Sequence, residues 1–423
     1  MSARAGRLER TYDVVLYGAT GFVGRQTVKY FARHAGQNVD EAAGLRWALA
    51  GRNRSKLDQV RREVGGAALQ AGIVVAAADD AKALDELAAS ASVVLSTAGP
   101  FALYGSALVA ACVRAGTQYV DITGETPWAH ELITQHHDTA EKSGTRIIPF
   151  CGFDSVPSDI GVWLMMQAME QRHGEPCIEV KGAFTLSGGL NGGTFASLMN
   201  IMGSESARLF ADPYLLNPPG ERPLNARDAS DPVIPRFDDD FNAWMAPFFM
   251  GPINTRVVRR SAALLNYGPD FSYQEYRRMG AGVVAGVAAT TLSVGMTLSQ
   301  SAMAFSPVRR LAAMVAPKPG EGPSEASMNR GSFSCELVGK SCNGKVLHGR
   351  VAGLGDPGNR ATTKMVCEAA LSLALDADQL PGGAARGGVL TPASGLGQVL
   401  VDRLRSAGLT LVVDQPLAAK ADL

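Results

Sequence analysis

Three glycines near the start of the chain have the spacing of a phosphate-binding turn. Gly18, Gly21 and Gly24 follow an apolar run at 14–17, typical of a buried parallel strand, and precede a predicted helix at 26–32. The first glycine would allow a sharp turn, the second would admit a pyrophosphate, and the third would let the helix pack closely on the strand. The alternative is a tight turn that binds no ligand. We expect a dinucleotide to bind these residues: Gly18, Ala19, Thr20, Gly21, Phe22, Val23 and Gly24.

The second predicted strand, at 45–50, ends beside cations instead of an acid. In a dinucleotide-binding fold an acidic residue at this position binds the ribose 2′-hydroxyl of NAD. Here Arg52 follows the strand, and its guanidinium suits the 2′-phosphate of NADP through charge-assisted hydrogen bonds. NADP(H) is therefore the expected cofactor. Arg54 and Lys56 are supporting candidates, and the alternative is that all three cations form a solvated start to the next helix.

Strands and helices alternate through residues 1–150. The spacing predicts further strands at 73–77, 93–96, 118–122 and 146–150, which favours a Rossmann-type, doubly wound parallel sheet of the α/β class. Ligands of such sheets bind beyond the carboxyl ends of the strands. The strand at 93–96 is followed by small residues that would let the backbone approach the cofactor: Ala98, Gly99 and Pro100.

Polar side chains near the ends of the later strands are candidates for acid–base chemistry. A dinucleotide-dependent reduction needs a proton donor and a group that binds the developing oxyanion. The catalytic candidates by position are Tyr119, Asp121, Asp154 and Ser155, with Tyr104, Glu125 and Ser158 also considered. The alternative for each aspartate is a helix cap or a loop hydrogen bond, and for Ser158 it is an N-cap. The spacing of His and Cys residues fits no metal, so we expect none.

Length and composition indicate a globular protein of two domains, with 423 residues of which 46% are hydrophobic. Forty basic and forty acidic residues cancel, which argues against a nucleic-acid partner. Six scattered cysteines and a polar start to the chain favour reduced thiols and a cytoplasmic location. We place the cofactor domain at 1–157, an α+β domain with a mixed or antiparallel sheet at 158–385, and a C-terminal segment at 386–423.

The second half of the chain gives coarser expectations. A strand at 177–186 leads into a glycine-rich stretch at 187–193, which favours a turn, and then into a helix at 194–208. We expect irregular structure at 213–252, a polar linker at 318–329, paired antiparallel strands at 332–338 and 345–351, a helix at 360–375 and a last amphipathic helix around 396–404.

A long segment at 279–308 contains no charged residue. Its length would suffice for a membrane span, but its hydroxyl side chains and four glycines make it only moderately apolar. We favour a buried core or oligomer-interface helix, then a helix that contacts a membrane surface, then a loop.

Five ordered motifs resemble the saccharopine dehydrogenase-like oxidoreductase family. They lie at 18–24, 50–52, 97–101, 119–125 and 152–159, and matches at 319–325 and 388–394 are similar to the branch that includes the trans-acting enoyl reductases. The resemblance implies an NADP-dependent oxidoreductase that reduces a carbon–carbon double bond in a lipid or polyketide-type acyl substrate, as in lipid and glycolipid biosynthesis. The substrate would be a hydrophobic small molecule or a carrier-linked acyl chain, and the C-terminal segment would return toward the first domain.

Two other functions stay open at this point. One is a saccharopine dehydrogenase-like C–N oxidoreductase, which would need cationic groups to bind two or more substrate carboxylates. The other is a membrane- or lipid-associated protein whose nucleotide-binding fold is not catalytic. A homodimer and contact with the inner face of the plasma membrane also stay open.

Overall fold

The computed structural model describes residues 10–37, 44–188, 209, 211–222, 230–303, 305, 307–308 and 321–413. The expected helix at 194–208 and all but the first two residues of the expected turn at 187–193 lie outside the described residues.

Strands and helices alternate through the first part of the chain, as the spacing predicts. The chain after the fourth strand forms two short helices that meet at Gly105. The bounds are β1 (Tyr12–Tyr17), α1 (Phe22–Gln37), β2 (Trp47–Gly51), α2 (Arg54–Val64), β3 (Gly72–Val75), α3 (Ala81–Ser90), β4 (Ala91–Ser96), α4 (Phe101–Tyr104), α5 (Ser106–Ala115), β5 (Gln118–Asp121), α6 (Thr126–Ser143), β6 (Arg146–Ile148) and α7 (Val156–His173).

The second part is richer in antiparallel strands and long helices. A π-helical turn at Pro357–Ala361 directly precedes the helix at Thr362–Leu375. The bounds are β7 (Cys177–Ser187), β8 (Arg236–Asp238), β9 (Ala243–Pro247), α8 (Gly251–Leu265), β10 (Ser272–Gly280), α9 (Val283–Met303), α10 (Glu325–Arg330), β11 (Ser332–Ser341), β12 (Val346–Leu354), α11 (Thr362–Leu375), β13 (Gly388–Val389), α12 (Pro392–Ser406) and β14 (Thr410–Val413).

Sheet A is a seven-stranded parallel sheet in the order β13-β6-β5-β4-β1-β2-β3. Its strand β1 is apolar from Val14 to Tyr17 because helices cover both faces of the sheet. Val14 and Leu16 pack in one hydrophobic cluster, which includes residues of α1 and α11, while Val15 and Tyr17 pack in another, which includes residues of α3 and α5. This sheet confirms the expected doubly wound α/β fold.

Sheet B is a seven-stranded mixed sheet in the order β14-β12-β11-β7-β10-β9-β8. β7 and β10 pair in parallel, and the other pairs are antiparallel. The expected hairpin is present as β11 and β12, and Gly344 in its turn has a φ of 79°, which favours glycine. The α7 helix packs on β7, β11 and β12 and joins the sheet to the first part of the fold.

Two segments of the second half that were expected to be irregular or a linker contain regular structure. The segment at 213–252 contains β8 and β9, and the linker at 318–329 contains most of α10. In the first case a cluster of aspartates indicated a loop, but Lys181 forms salt bridges with Asp238 (2.7 Å) and with Asp240. In the second, the Ser324 side chain accepts from Ser327 N at the start of the helix. The ion pairs of Lys181 near β8 and the Ser324 cap of α10 are interactions that residue composition alone does not reveal.

The C-terminal part of the chain contributes to both sheets. β13 pairs in parallel with β6 in sheet A, whereas β14 pairs with β12 in sheet B. The α11 helix, which lies within 158–385, packs against α1, β4 and β5 of the first part. The two sheets therefore share one continuous hydrophobic core.

The charge-free segment forms α9, which is not a fully buried core helix, whereas the other half of that expectation, an oligomer-interface helix, stays a prediction. Ala289 and Ser293 are buried, and Gly286 lies against the ring of Trp244, so the face with small residues packs on sheet B. The opposite face exposes Val284 (83%) and Leu298 (65%). Among the described residues, no helix is both long enough and apolar enough to cross a membrane.

Candidate functional site

The glycine turn between β1 and α1 has the backbone geometry that the sequence predicts. Gly18 has a φ of 85°, and a Cβ there would lie 2.9 Å from Ala98 N. A Cβ on Gly24 would lie 2.1 Å from Gly18 O, which is far inside contact distance, so only glycine lets α1 start this close to the strand. At Gly21 the nearest atom would be Gly18 O at 3.3 Å.

Arg52 follows β2 and is exposed. No described residue forms a hydrogen bond or ion pair with its guanidinium. Asn53 caps α2 by accepting from Lys56 N (3.0 Å), and the first turn of α2 contains no acid. Arg52 therefore lies beside the positive end of a helix dipole, where a phosphate would be favoured.

Asp79 and Arg52 lie close enough to Tyr17 to affect its hydroxyl. Burial raises the pKa of Tyr17, the Asp79 carboxylate raises it further, and Arg52 opposes both. The ends of β1 and β2 and the segment after β3 therefore surround one position at the edge of sheet A.

The loop after β4 is held in place by Glu125. Its carboxylate accepts from Phe101 N (2.8 Å) and Ala102 N (3.0 Å), so it caps the start of α4. Glu125 is 1% exposed. This carboxylate was considered as an acid–base group, but its hydrogen bonds give it a structural role beside Ala98, Gly99 and Pro100.

Tyr119 and Asp121 also bond to each other and to the backbone. The Tyr119 hydroxyl donates to Asp121 Oδ2 (3.0 Å), while Oδ1 accepts from Thr123 N (3.0 Å) and Phe150 N (3.2 Å). Burial raises the pKa of Asp121 to about 7, although these three donors lower it. Both residues are 0% exposed, so their hydrogen bonds connect the ends of β5 and β6 inside the core.

Ser155 and Ser158 belong to a buried hydrogen-bond network that the sequence did not reveal. Ser158 Oγ donates to Glu275 Oε2 (2.8 Å) from within α7, so its expected role as an N-cap is wrong. Ser155 Oγ donates to Asn254 Oδ1 (3.2 Å), and Asn254 Nδ2 donates to Glu275 Oε1 (2.8 Å). Tyr273 also donates to Glu275 (2.8 Å). The network joins α7, α8 and β10 across the two sheets.

Asp154 differs from these bonded groups. It follows β6, is partly buried, and forms no hydrogen bond or ion pair with any described residue. A Cβ on Gly124 would lie 3.4 Å from Asp154 Oδ2 and 3.1 Å from Cδ1 of Ile253. Burial alone raises the pKa of Asp154 to about 7. Tyr104 on α4 is 44% exposed and likewise has no hydrogen-bond partner among the described residues.

A segment from far along the chain covers the glycine turn. A Cβ on Gly322 would lie 2.6 Å from the ring of Phe22, the first residue of α1. Gly322 belongs to one of the distal motifs at 319–325, so the resemblance gave a signal for it although the spacing did not. The Glu275 network gave no signal, because its members are scattered between 155 and 275. In the described part of the chain, no cluster of His, Cys, Asp or Glu could hold a metal ion.

Comparison with known proteins identifies the family. Residues 14–148 match the model of the saccharopine dehydrogenase NADP binding domain. A protein of Mycobacterium tuberculosis is 39% identical over 419 residues, covering 95% of this chain and 97% of the relative. The trans-acting enoyl reductases of Mycobacterium bovis and Mycobacterium leprae are 37% and 36% identical, covering 95% of this chain and 98% of each relative. The chain belongs to the trans-acting enoyl reductase family.

This family member is an NAD(P)-dependent oxidoreductase whose cofactor is NADP(H). Its overall fold is that of the L-Glu-forming saccharopine dehydrogenase of Saccharomyces cerevisiae, with a TM-score of 0.51 and 13% identity over 95% of this chain and 99% of that one. The described residues fit the cofactor: Gly21 leaves the turn open, and Arg52 has a guanidinium that no described residue engages.

Proposed function

We propose that this oxidoreductase uses NADPH to reduce the carbon–carbon double bond of a hydrophobic, lipid or polyketide-type acyl substrate. The observation that carries the proposal is the 36–39% identity, along 95% of the chain, to proteins that include trans-acting enoyl reductases. NADPH supplies a hydride when it is bound. The chain then has to position the acyl group, exclude water and deliver one proton.

We assign the phosphates of the cofactor to the glycine turn and to Arg52. Gly21 would admit the pyrophosphate at the start of α1, whereas Arg52 would bind the 2′-phosphate with charge-assisted hydrogen bonds. The nicotinamide would lie near the carboxyl ends of β4 and β5. The residues that follow β4 there include Ala98, Gly99 and Pro100. This arrangement places the reacting end of the cofactor on the same half of sheet A as Asp154.

The alternative C–N oxidoreductase is less well supported. Its substrate would need free cations for two carboxylates. Three arginines on α8 are buried, and all are engaged. Arg256 pairs with Asp231, Arg259 donates to Pro213 O (3.0 Å), and Arg260 donates to Leu216 O and Val389 O. The described part of α8 therefore offers no free guanidinium to such a substrate.

The first experiment is a titration of the purified chain with NADPH and with NADH, followed through energy transfer from its four tryptophans to the nicotinamide. We expect tight binding of NADPH and at least about tenfold weaker binding of NADH, because only NADPH carries the 2′-phosphate. Oxidation of NADPH is then measured with long-chain enoyl thioesters, supplied both as coenzyme A and as carrier-protein conjugates.

The results separate the candidate functions. NADPH oxidation by enoyl thioesters supports the proposal, and saccharopine-dependent reduction of NADP⁺ would replace it by the C–N oxidoreductase. Binding of neither cofactor would favour a non-catalytic nucleotide fold.

A further inference from the structure

Besides Glu125, four buried or partly buried carboxyl groups lie in β5, α7, β10 and the loop after β6, and three of them accept hydrogen bonds from the chain. Asp121 and Glu275 each accept three hydrogen bonds. Asp159 accepts from Ser261 Oγ and from Ala393 N (2.8 Å), which connects α7 to α8 and α12. The hydrogen bonds of these three carboxyl groups connect parts of the fold and compensate for their burial. Asp154 is the exception, since no described group donates to it.

An apolar side chain borders the space beside Asp154. A Cβ on Gly124 would lie 3.4 Å from Asp154 Oδ2 and 3.1 Å from Cδ1 of Ile253, in the first turn of α8, so the carboxyl group and this side chain border the same space beside Gly124. A partly buried carboxyl group that gains no hydrogen bond from the chain loses part of its hydration without compensation, which costs free energy. Burial is the sole cause of its raised pKa, and no charged group of the described chain contributes.

The position of Asp154 also fits proton delivery. It follows β6, beside β5 and two strands from β4, so it lies on the side of sheet A away from Arg52 and β2. Ligands of parallel sheets occupy this edge. Gly124 keeps the space in front of the carboxyl group open, because any larger residue there would contact Oδ2.

We propose that Asp154 is the catalytic proton donor, an inference that rests on the proposed enoyl reduction. The β-carbon of the enoyl group receives the hydride, and the electron pair of the double bond moves to the α-carbon and its carbonyl. Asp154 gives its proton to the α-carbon, which leaves the saturated acyl group, NADP⁺ and an Asp154 carboxylate. The carboxylate takes up one proton from the solvent between turnovers, so each turnover consumes one NADPH and one H⁺.

The test compares Asp154→Asn and Asp154→Glu with the unaltered protein. Asp154→Asn removes the proton but keeps the shape, so we expect kcat to fall by about 10²- to 10⁴-fold, with NADPH affinity unchanged within about twofold. Asp154→Glu retains an acid and should recover part of the lost rate. Because the NADPH titration does not require turnover, it also shows whether each variant is folded.

The matched comparison is Tyr104→Phe, since Tyr104 is another unbonded proton donor near the cofactor loop. We expect this variant to keep its activity. If Tyr104→Phe loses the rate and Asp154→Asn keeps it, the assignment is overturned. An unaltered protein that reduces no enoyl substrate contradicts the proposed function, whereas an active one whose Asp154→Asn variant is equally active contradicts only this inference.

Infrared difference spectroscopy gives a readout that does not depend on turnover. The carbonyl stretch of a protonated carboxyl group should titrate near neutral pH in the unaltered protein and lose one component in Asp154→Asn. Identical titrations in the two proteins would show that Asp154 holds no proton at working pH, and the proposal would fall.

Discussion

Arg52 is the residue on which cofactor selection should depend. Its guanidinium is exposed beside the start of α2 and has no partner in the described chain. We expect Arg52→Ala to weaken NADPH binding by about 1.5–3 kcal/mol, because a charge-assisted hydrogen bond to the 2′-phosphate is lost. NADH affinity should hardly change. Parallel titrations of the two cofactors measure both values.

Arg54→Ala is the control for Arg52→Ala. Arg54 is an equally exposed cation two residues later, so its replacement tests whether general positive charge is enough. Equal losses of NADPH and NADH affinity in Arg52→Ala would mean that the arginine does not bind the 2′-phosphate.

The order of strands in the sequence predicted that polar residues lie at the carboxyl-terminal edge of sheet A. It could not show which of the acidic residues there lacks a hydrogen bond from the described chain. Asp121 ends the parallel strand β5, and Glu125 and Asp154 follow β5 and β6, so the alternation of strands placed all three near the same edge. Their roles depend on donors elsewhere in the chain: the N–H of Phe101 lies 24 residues before Glu125, and that of Phe150 lies 29 residues after Asp121. The glycine turn was easier to predict, because its steric demands are local.

The α9 helix presents an apolar stripe that the described chain does not cover. Val283, Val287, Val294 and Leu298 lie on one side, with between 54% and 83% of each residue exposed. Exposed stripes of this kind mark contacts with a partner or a membrane. We propose that α9 contacts a lipid surface, because no charge interrupts the stripe and the proposed substrate is hydrophobic.

Flotation with liposomes tests this contact. The double variant Val287→Glu and Val294→Glu should lower partitioning about tenfold or more, because two charges would enter an apolar layer. Leu69→Glu is the control, since Leu69 is also exposed (54%) but lies in a short helix before β3. Unchanged flotation would contradict the proposal, and a change of oligomeric state in the α9 variant would show that a second copy covers the stripe.

Elements with a strong periodicity were predictable, and short or exposed ones were not. The strands β1 to β6 of sheet A and the hairpin β11–β12 follow from apolar runs and turn residues, whereas β13, with two residues, was not predicted. β8 has three residues, lies at a sheet edge and carries Asp238, so its sequence looks like a loop until the Lys181 salt bridge is known. The exposure of one face of α9 could not be predicted either, because a helix without charged residues is normally buried.

For the whole molecule, the buried acids set the dependence of stability on pH. Burial raises the pKa values of four carboxyl groups to about 7, from ordinary values of 3.8 for aspartate and 4.5 for glutamate. The folded state therefore retains protons that the unfolded state has released. The stability that this provides is complete below the ordinary values and is lost as the pH rises through about 7. The four groups are Asp121, Asp154, Asp159 and Glu275.

We therefore expect the free energy of unfolding to fall between about pH 7 and about pH 8.5. A carboxyl group that is half protonated at pH 7 contributes about 0.7 kcal/mol per pH unit there. His136 and His137, whose pKa values burial lowers, act in the opposite direction only below about 6.5, outside this window. Urea unfolding at the two pH values measures the change, and Asp154→Asn should make it smaller. A free energy that rises with pH would mean that the buried acids are already ionised in the folded protein, and Asp154 would then hold no proton to donate.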